Sequence, residues 1–175
     1  MPDYAAARRT MVDAQIRAND VVDPRIHAAM LSVPRENFVP NAKRAFAYAD
    51  VPVEVAPKRY MLDPRVFAKM VQLAEIKSSD RILDVGCATG YSTAILARLG
   101  REVVALEQDA DLVRIASEIL PSVPDTKTAV VQGGLVEGVK AQGPYDVIFI
   151  NGAVEEVPDT LLAQMAEGGR LVVVL

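Results

Sequence analysis

The sequence predicts an α/β fold of the Rossmann-like kind, a doubly wound, mainly parallel sheet with a helical extension before it. Three observations carry that expectation. An apolar run at Ile82, Leu83 and Val85 breaks into a small-residue turn at Gly86, Ala88 and Gly90, and a helical pattern follows at once. Further short apolar runs, over 102–106, 128–132, 145–150 and 171–175, alternate with helical stretches, which implies strand–helix–strand units. Asp84, Glu107, Gly133 and Asn151 then fall at the carboxyl ends of strands, where such sheets hold ligands.

In chain order, residues 3–19 read as a helix, with Ala7, Met11, Ala14 and Ala18 along one stripe. Asp23-Pro24 starts a second helix with Ile26, Met30 and Leu31 inward and His27 beside that face, partly exposed. Residues 35–50 are irregular apart from a short helix over 42–47, and 51–60, with Pro52 and Pro57, are extended. Asp63-Pro64 caps a third helix over 65–76 with Val66, Met70, Leu73 and Ala74 inward. Helices over 110–120 and 158–167 complete the alternation, the last closing at Gly168-Gly169. Lys58 and Arg59 read as a solvated surface pair, the alternative being that they draw in a carboxylate.

Composition bounds the function classes. A chain of 175 residues, 51% hydrophobic, suffices for one domain with a sizeable core, here a helical cover over 1–60 and an α/β core over 61–175. No run reaches the ~18 apolar residues of a membrane span, and no secretory leader is expected. A formal charge of −4 disfavours a nucleic-acid footprint. Cys87 is the single cysteine, which excludes a disulfide framework and fits a reducing, cytoplasmic setting. With His27 its only possible histidine base, far off in sequence, Cys87 reads as a space-filling side chain. No metal set is apparent.

The turn at 84–90 separates three nucleotide readings. A P-loop needs a lysine in the turn, and there is none. A dinucleotide fingerprint counted from Gly86 would need glycine at Ala88 and Tyr91. What remains, Asp84-x-Gly86-x-Ala88-x-Gly90, suits S-adenosylmethionine: Gly86 lets the backbone approach, and Asp84 attracts a cationic amino group. The next strand ends in Glu107, 17 residues past Gly90, placed to hold both ribose hydroxyls. The expected cofactor site comprises Met61, Asp84, Gly86, Cys87, Ala88, Gly90, Tyr91, Glu107, Gln108, Gly133, Gly134, Leu135 and Asn151.

Together with the stretches Met11 to Arg17, Val33-Pro34-Arg35-Glu36 with Phe38-Val39-Pro40, Ala47 to Asp50, Gly90-Tyr91 and Pro144-Tyr145-Asp146, these motifs resemble the protein-L-isoaspartate (D-aspartate) O-methyltransferases over nearly the whole chain. The resemblance implies methyl transfer from S-adenosylmethionine to the carboxylate of isomerised aspartate in protein or peptide substrates, a repair reaction. Two departures stand out. Where the family carries Thr-Ile-Ser-x-Pro, its serine reaching the acceptor, this chain has Tyr60-Met61-Leu62-Asp63-Pro64; Leu62 takes the serine's position and the Tyr60 hydroxyl is the nearest substitute. The acidic residue that the family places between two glycines after the third strand is missing at Gly133-Gly134-Leu135. Leu62 keeps two alternatives open, a diverged relative with another acceptor and a cofactor-binding module without turnover. Relatives continue into an antiparallel hairpin beyond the apolar run 172–175; further residues or a second copy of the chain are expected to cover that edge.

Overall fold

The computed structural model of the chain describes residues 2–175. Helix α1 (Tyr4–Met11) starts at Asp3, whose carboxylate accepts the Ala6 N–H at 2.9 Å. It continues as a π turn, Val12–Ile16, and a 3-10 turn, Arg17–Asn19. The expected helix is therefore helical throughout but α only at first. The wider turn rotates the buried stripe onto Met11, Val12 and Ile16 and leaves Ala14 and Ala18 exposed. Helix α2 (Pro24–Ser32) is capped by Asp23 and buries Ile26, Ala29 and Met30. His27 is buried rather than half-exposed, because its Nε2 lies 2.6 Å from the Val21 carbonyl and ties the helix to the loop before it.

Two 3-10 turns, Arg35–Phe38 and Asn41–Phe46, lead into a hairpin of β1 (Val53–Ala56) and β2 (Arg59–Met61). Helix α3 (Pro64–Leu73) is capped by Asp63, which accepts the Val66 N–H at 2.9 Å. Its inward face is Phe67, Met70, Val71 and, just beyond the helix, Ala74. Leu73, expected inward, lies off that phase and is 73% exposed.

The core follows as β3 (Arg81–Val85), α4 (Tyr91–Ala97), β4 (Glu102–Glu107), α5 (Ala110–Ile119), β5 (Thr128–Gln132), β6 (Tyr145–Ala153), α6 (Asp159–Leu162) and β7 (Met165–Val174). The five long strands form one parallel sheet in the order β5-β4-β3-β6-β7. The helix expected over 158–167 ends at Leu162, and Gly168-Gly169 lie inside β7, where the register with β6 shifts, rather than closing a helix. Tyr145 starts that pairing by donating its N–H to the Gln164 carbonyl at 2.9 Å.

Both sheet faces are covered. Ile82, Val103, Val147 and Phe149 pack under α3, α4 and the N-terminal cover, while Leu83, Val85, Leu106 and Ile148 pack with Leu161 on the other side. The period of two along each strand sends successive side chains into the two cores. The cover is locked to the core by an aromatic chain, Phe38–Tyr91–Phe67–Phe149, with centroid separations of 5.6, 5.7 and 5.7 Å. Thr89 adds a bond from its hydroxyl to the Phe38 carbonyl at 2.6 Å.

Candidate active site

The chain runs from β3 outward to β5, then returns to β6 on the other side of β3, so the strand order reverses between β3 and β6. The crevice at that reversal, above the carboxyl ends of the strands, is where open α/β sheets bind ligands. Asp84, Gly86 and Asn151 flank it, and Glu107 closes the neighbouring strand.

The turn after β3 is fixed by its own backbone. Gly86 and Cys87 donate to the Leu106 carbonyl at 2.8 and 3.2 Å, and Gly90 donates to Cys87 at 2.9 Å. Gly86 has φ +75°, and a Cβ there would meet nothing nearer than 3.8 Å. Leu135, Asn151 and Arg59 stand at van der Waals distance over this left-handed residue, and the missing side chain leaves its backbone close to both cavities. Ala88 is also left-handed, at φ 50°, and its N–H points to Glu107 Oε2 at 2.9 Å.

Asp84 is fully buried. Its Oδ2 accepts from Ser92 at 2.7 Å and Thr93 at 2.6 Å, and its Oδ1 accepts from Asn151 Nδ2. Asp84 therefore holds Asn151 and the first turn of α4, its two oxygens already engaged by three donors. Burial raises its carboxyl to about 6, with the Thr93, Ser92 and Asn151 donors opposing. Ser92 and Thr93 went unnoticed in the sequence, although two hydroxyls in the first turn after a buried acid are a legible signal.

Glu107 is the most heavily bonded group of the site. Arg59 donates to it through both guanidinium nitrogens, at 2.7 and 2.5 Å, and the backbone N–H groups of Gln108 and Asp109 add bonds at 2.9 and 3.1 Å. Burial pushes the Glu107 carboxyl up, but Arg59 and the backbone donors outweigh it and hold the group below the usual carboxylate range. Arg59 is thus no solvated surface residue. Nothing in the sequence announced the pair, since its members lie 48 residues apart.

Two cavities flank the turn. One, of about 20 Å³, is lined by Tyr60, Met61, Leu62, Cys87, Thr89 and Tyr91 among others, and the second, of about 160 Å³, by Arg59, Leu135, Ile150 and Leu161 among others. Gly86 and Asn151 border both. The first admits about one water, whereas the second has the scale of an apolar cavity that takes an aromatic ring. Leu135 lines the second cavity. Gly133 lies just past β5, its N–H bound to the Glu107 carbonyl at 3.0 Å, and Glu137 folds its carboxylate back against Gly134, returning an acid near the position the sequence seemed to lack. The Gln108 side chain is exposed.

Above the first cavity, Tyr60 is 53% exposed and Leu62 half-buried. Fully buried Arg35 braces this segment, donating to the Leu62 and Ala47 carbonyls at 2.6 Å each, with its guanidinium 4.7 Å from the Tyr91 ring centre. Cys87 is buried, and burial pushes its thiol up, so it is no nucleophile. Among the described residues no group of histidine, cysteine and acid side chains is arranged to hold a metal, and no helix is long and apolar enough to cross a membrane.

Comparison with known proteins agrees with this geometry. The model of the family described as protein-L-isoaspartate(D-aspartate) O-methyltransferase matches residues 6–175. A protein-L-isoaspartate O-methyltransferase of Koribacter versatilis is 36% identical over 97% of this chain and 77% of its own length. One from Rhodopseudomonas palustris is 38% identical over 93% of this chain and 74% of its own. A solved protein-L-isoaspartate O-methyltransferase superposes with TM-score 0.83 at 28% identity, over 95% of this chain and 54% of that one. A Plasmodium falciparum structure described as a putative enzyme of this kind, in complex with S-adenosyl-L-homocysteine, shares the fold with TM-score 0.80 at 20% identity, over 99% of this chain and 84% of that one.

Proposed function

The chain belongs to the protein-L-isoaspartate (D-aspartate) O-methyltransferase family, and from that premise we propose that it methylates the stray carboxylate of isomerised aspartyl residues, using S-adenosylmethionine. The observation that carries this reading is a site rich in cofactor-binding features and poor in catalytic bases. The only histidine is buried in the cover against the Val21 carbonyl, and Cys87 is a buried thiol. An acceptor that already carries its charge at neutral pH needs neither. What it needs is an oxygen held in line with the methyl group in a dry place.

The residues present fit such a cofactor. Gly86 leaves backbone open to close approach, Glu107 stands at the strand end where ribose hydroxyls are accepted, and Leu135 and Ile150 wall a ring-sized apolar cavity. When bound, the cofactor supplies the electrophilic methyl. The chain's own contribution is positional: Asp84 orders Asn151 and the start of α4, while Met61 and Leu62, braced by Arg35, close the first cavity.

The acceptor end rests on Tyr60 and the Leu62 position. Leucine in place of a hydroxyl favours one second reading, a relative acting on another acceptor. The partner under the leading reading is an isoaspartate-bearing polypeptide in the cytoplasm, with cover and core acting as one domain. The test is to incubate the protein with labelled S-adenosylmethionine and an isoaspartyl peptide beside its normal aspartyl twin. Base-labile label on the isoaspartyl peptide alone is the expected result. Equal labelling of the two, or none on either, contradicts the proposal.

A further inference from the structure

Arg59 is paired with the group that a cofactor's ribose requires. The two oxygens of Glu107 offer about four lone-pair positions. Oε1 accepts from Arg59 Nη1, Gln108 N and Asp109 N, and Oε2 from Arg59 Nη2 and Ala88 N. That set leaves Glu107 no capacity for ribose hydroxyls. Three of the donors are backbone groups fixed by β4 and the glycine turn. Arg59 is the one on a flexible side chain, so it is the donor that can leave, and two hydroxyls replace its two N–H groups bond for bond.

The position of the guanidinium gives it somewhere to go. Arg59 lines the second cavity, and its Nη2 lies 4.0 Å from where a Cβ on Gly86, which borders both cavities, would stand. It projects from β2, whose next residues Tyr60 and Met61, followed by Leu62, line the first cavity. Released from Glu107, a guanidinium whose side chain is 23% exposed is left in a partly dry site without an anion, a costly state. The acceptor in the proposed reaction is itself a carboxylate, a match for the fork that Arg59 already presents.

We propose that Arg59 is the residue that binds the acceptor carboxylate, and that Glu107 holds it until the cofactor's ribose takes its place. The acceptor half rests on the proposed function; the exchange at Glu107 does not. The arrangement makes binding ordered. Without cofactor the acceptor's ligand is occupied, and with cofactor it is set free beside the cavity where transfer occurs. Leu62 offers the acceptor no side-chain hydrogen bond, so Arg59 supplies the donors that position lacks.

Calorimetric titration of the parent, Arg59→Gln and Arg59→Lys decides it. S-adenosylhomocysteine is titrated first, and isoaspartyl peptide is then titrated with and without it. Removing the resident from Glu107 should tighten S-adenosylhomocysteine binding in Arg59→Gln by roughly 3- to 10-fold, as expected when a competing closed state is abolished. In the parent the peptide should bind roughly tenfold or more tightly once S-adenosylhomocysteine is present. Arg59→Gln should lose that dependence, and Arg59→Lys should keep part of it. A strut that merely held the hairpin would weaken both ligands together. Weaker S-adenosylhomocysteine binding in Arg59→Gln with an unchanged melting temperature overturns the exchange. Peptide affinity in the parent that ignores S-adenosylhomocysteine, or survives Arg59→Gln, overturns the acceptor role. Failure of labelled transfer to either peptide would count against the proposed function and leave these binding results to stand alone.

Discussion

At the scale of single residues, Asp84 works against the stability of the free protein. Its folded carboxyl sits near 6, above the ordinary value of 3.8. A group raised in this way contributes stability that is fully present below the unfolded value and is lost as pH rises through the folded one. Lowering the pH from 7 to 5 should therefore let this group stabilise the free protein. The same protonation cancels the charge that holds Asn151 and the α4 turn in place, so S-adenosylhomocysteine affinity should fall by up to about tenfold per unit below pH 6. Asp84→Asn should flatten both dependences, checked by chemical denaturation and calorimetry across pH 5–8. A parent whose affinity is constant over that range would refute the role given to Asp84. Residues of this kind were half legible. Asp84, Glu107 and Asn151 stood out by their places at strand ends, but the bonds that Arg59 makes to Glu107 and Asn151 to Asp84 did not, because they reach across 48 and 67 residues of chain.

At the scale of elements, the segment from β1 to the start of α3 is the one the proposed function assigns to the acceptor. Its register, Val53 opposite Met61 and Glu54 opposite Tyr60, turns Met61 inward and leaves Tyr60 exposed. Arg35 fixes the backbone carbonyl of Leu62. Leu62→Ser adds a hydroxyl there without changing the backbone. It should raise isoaspartyl methylation by roughly 10-fold, the lower end of what a charge-assisted hydrogen bond provides, while leaving S-adenosylhomocysteine affinity within about 2-fold. Unchanged turnover in Leu62→Ser would show that this position does not touch the acceptor. The first three strands of the sheet were legible because each is a short apolar run that ends at a glycine or an acid. The end of the last helix was not. Gly168-Gly169 read as a helix stop, whereas β6 and β7 pair across a register shift that admits both glycines into the strand. Exposed Leu73 shows the same limit, since the phase of α3 is set by what Phe67 and Val71 pack against.

At the scale of the whole molecule, cover and core share one continuous buried cluster, and an aromatic path runs through it. Phe38 of the cover meets Tyr91 of α4, Tyr91 meets Phe67 of α3, and Phe67 meets Phe149 of the sheet. Phe67 lies at the centre of the path and is 2% exposed. Phe67→Ala should cost about 3–5 kcal/mol and uncouple the two parts. In urea the parent should unfold in one transition by fluorescence and circular dichroism alike; coincident transitions in the variant would show that the path is not the link. The buried network of Arg8, Glu36 and Tyr48 keeps the cover rigid above the crevice. The proposed placement of the cofactor rests on Glu107 accepting its ribose at the end of β4. The most direct check is calorimetric titration of S-adenosylhomocysteine into the parent and Glu107→Ala. The parent should bind, and the variant should bind more weakly by about 1.5–3 kcal/mol, or stop binding. Equal affinity in the two proteins, or no binding by the parent, would contradict the placement of the cofactor at this strand end.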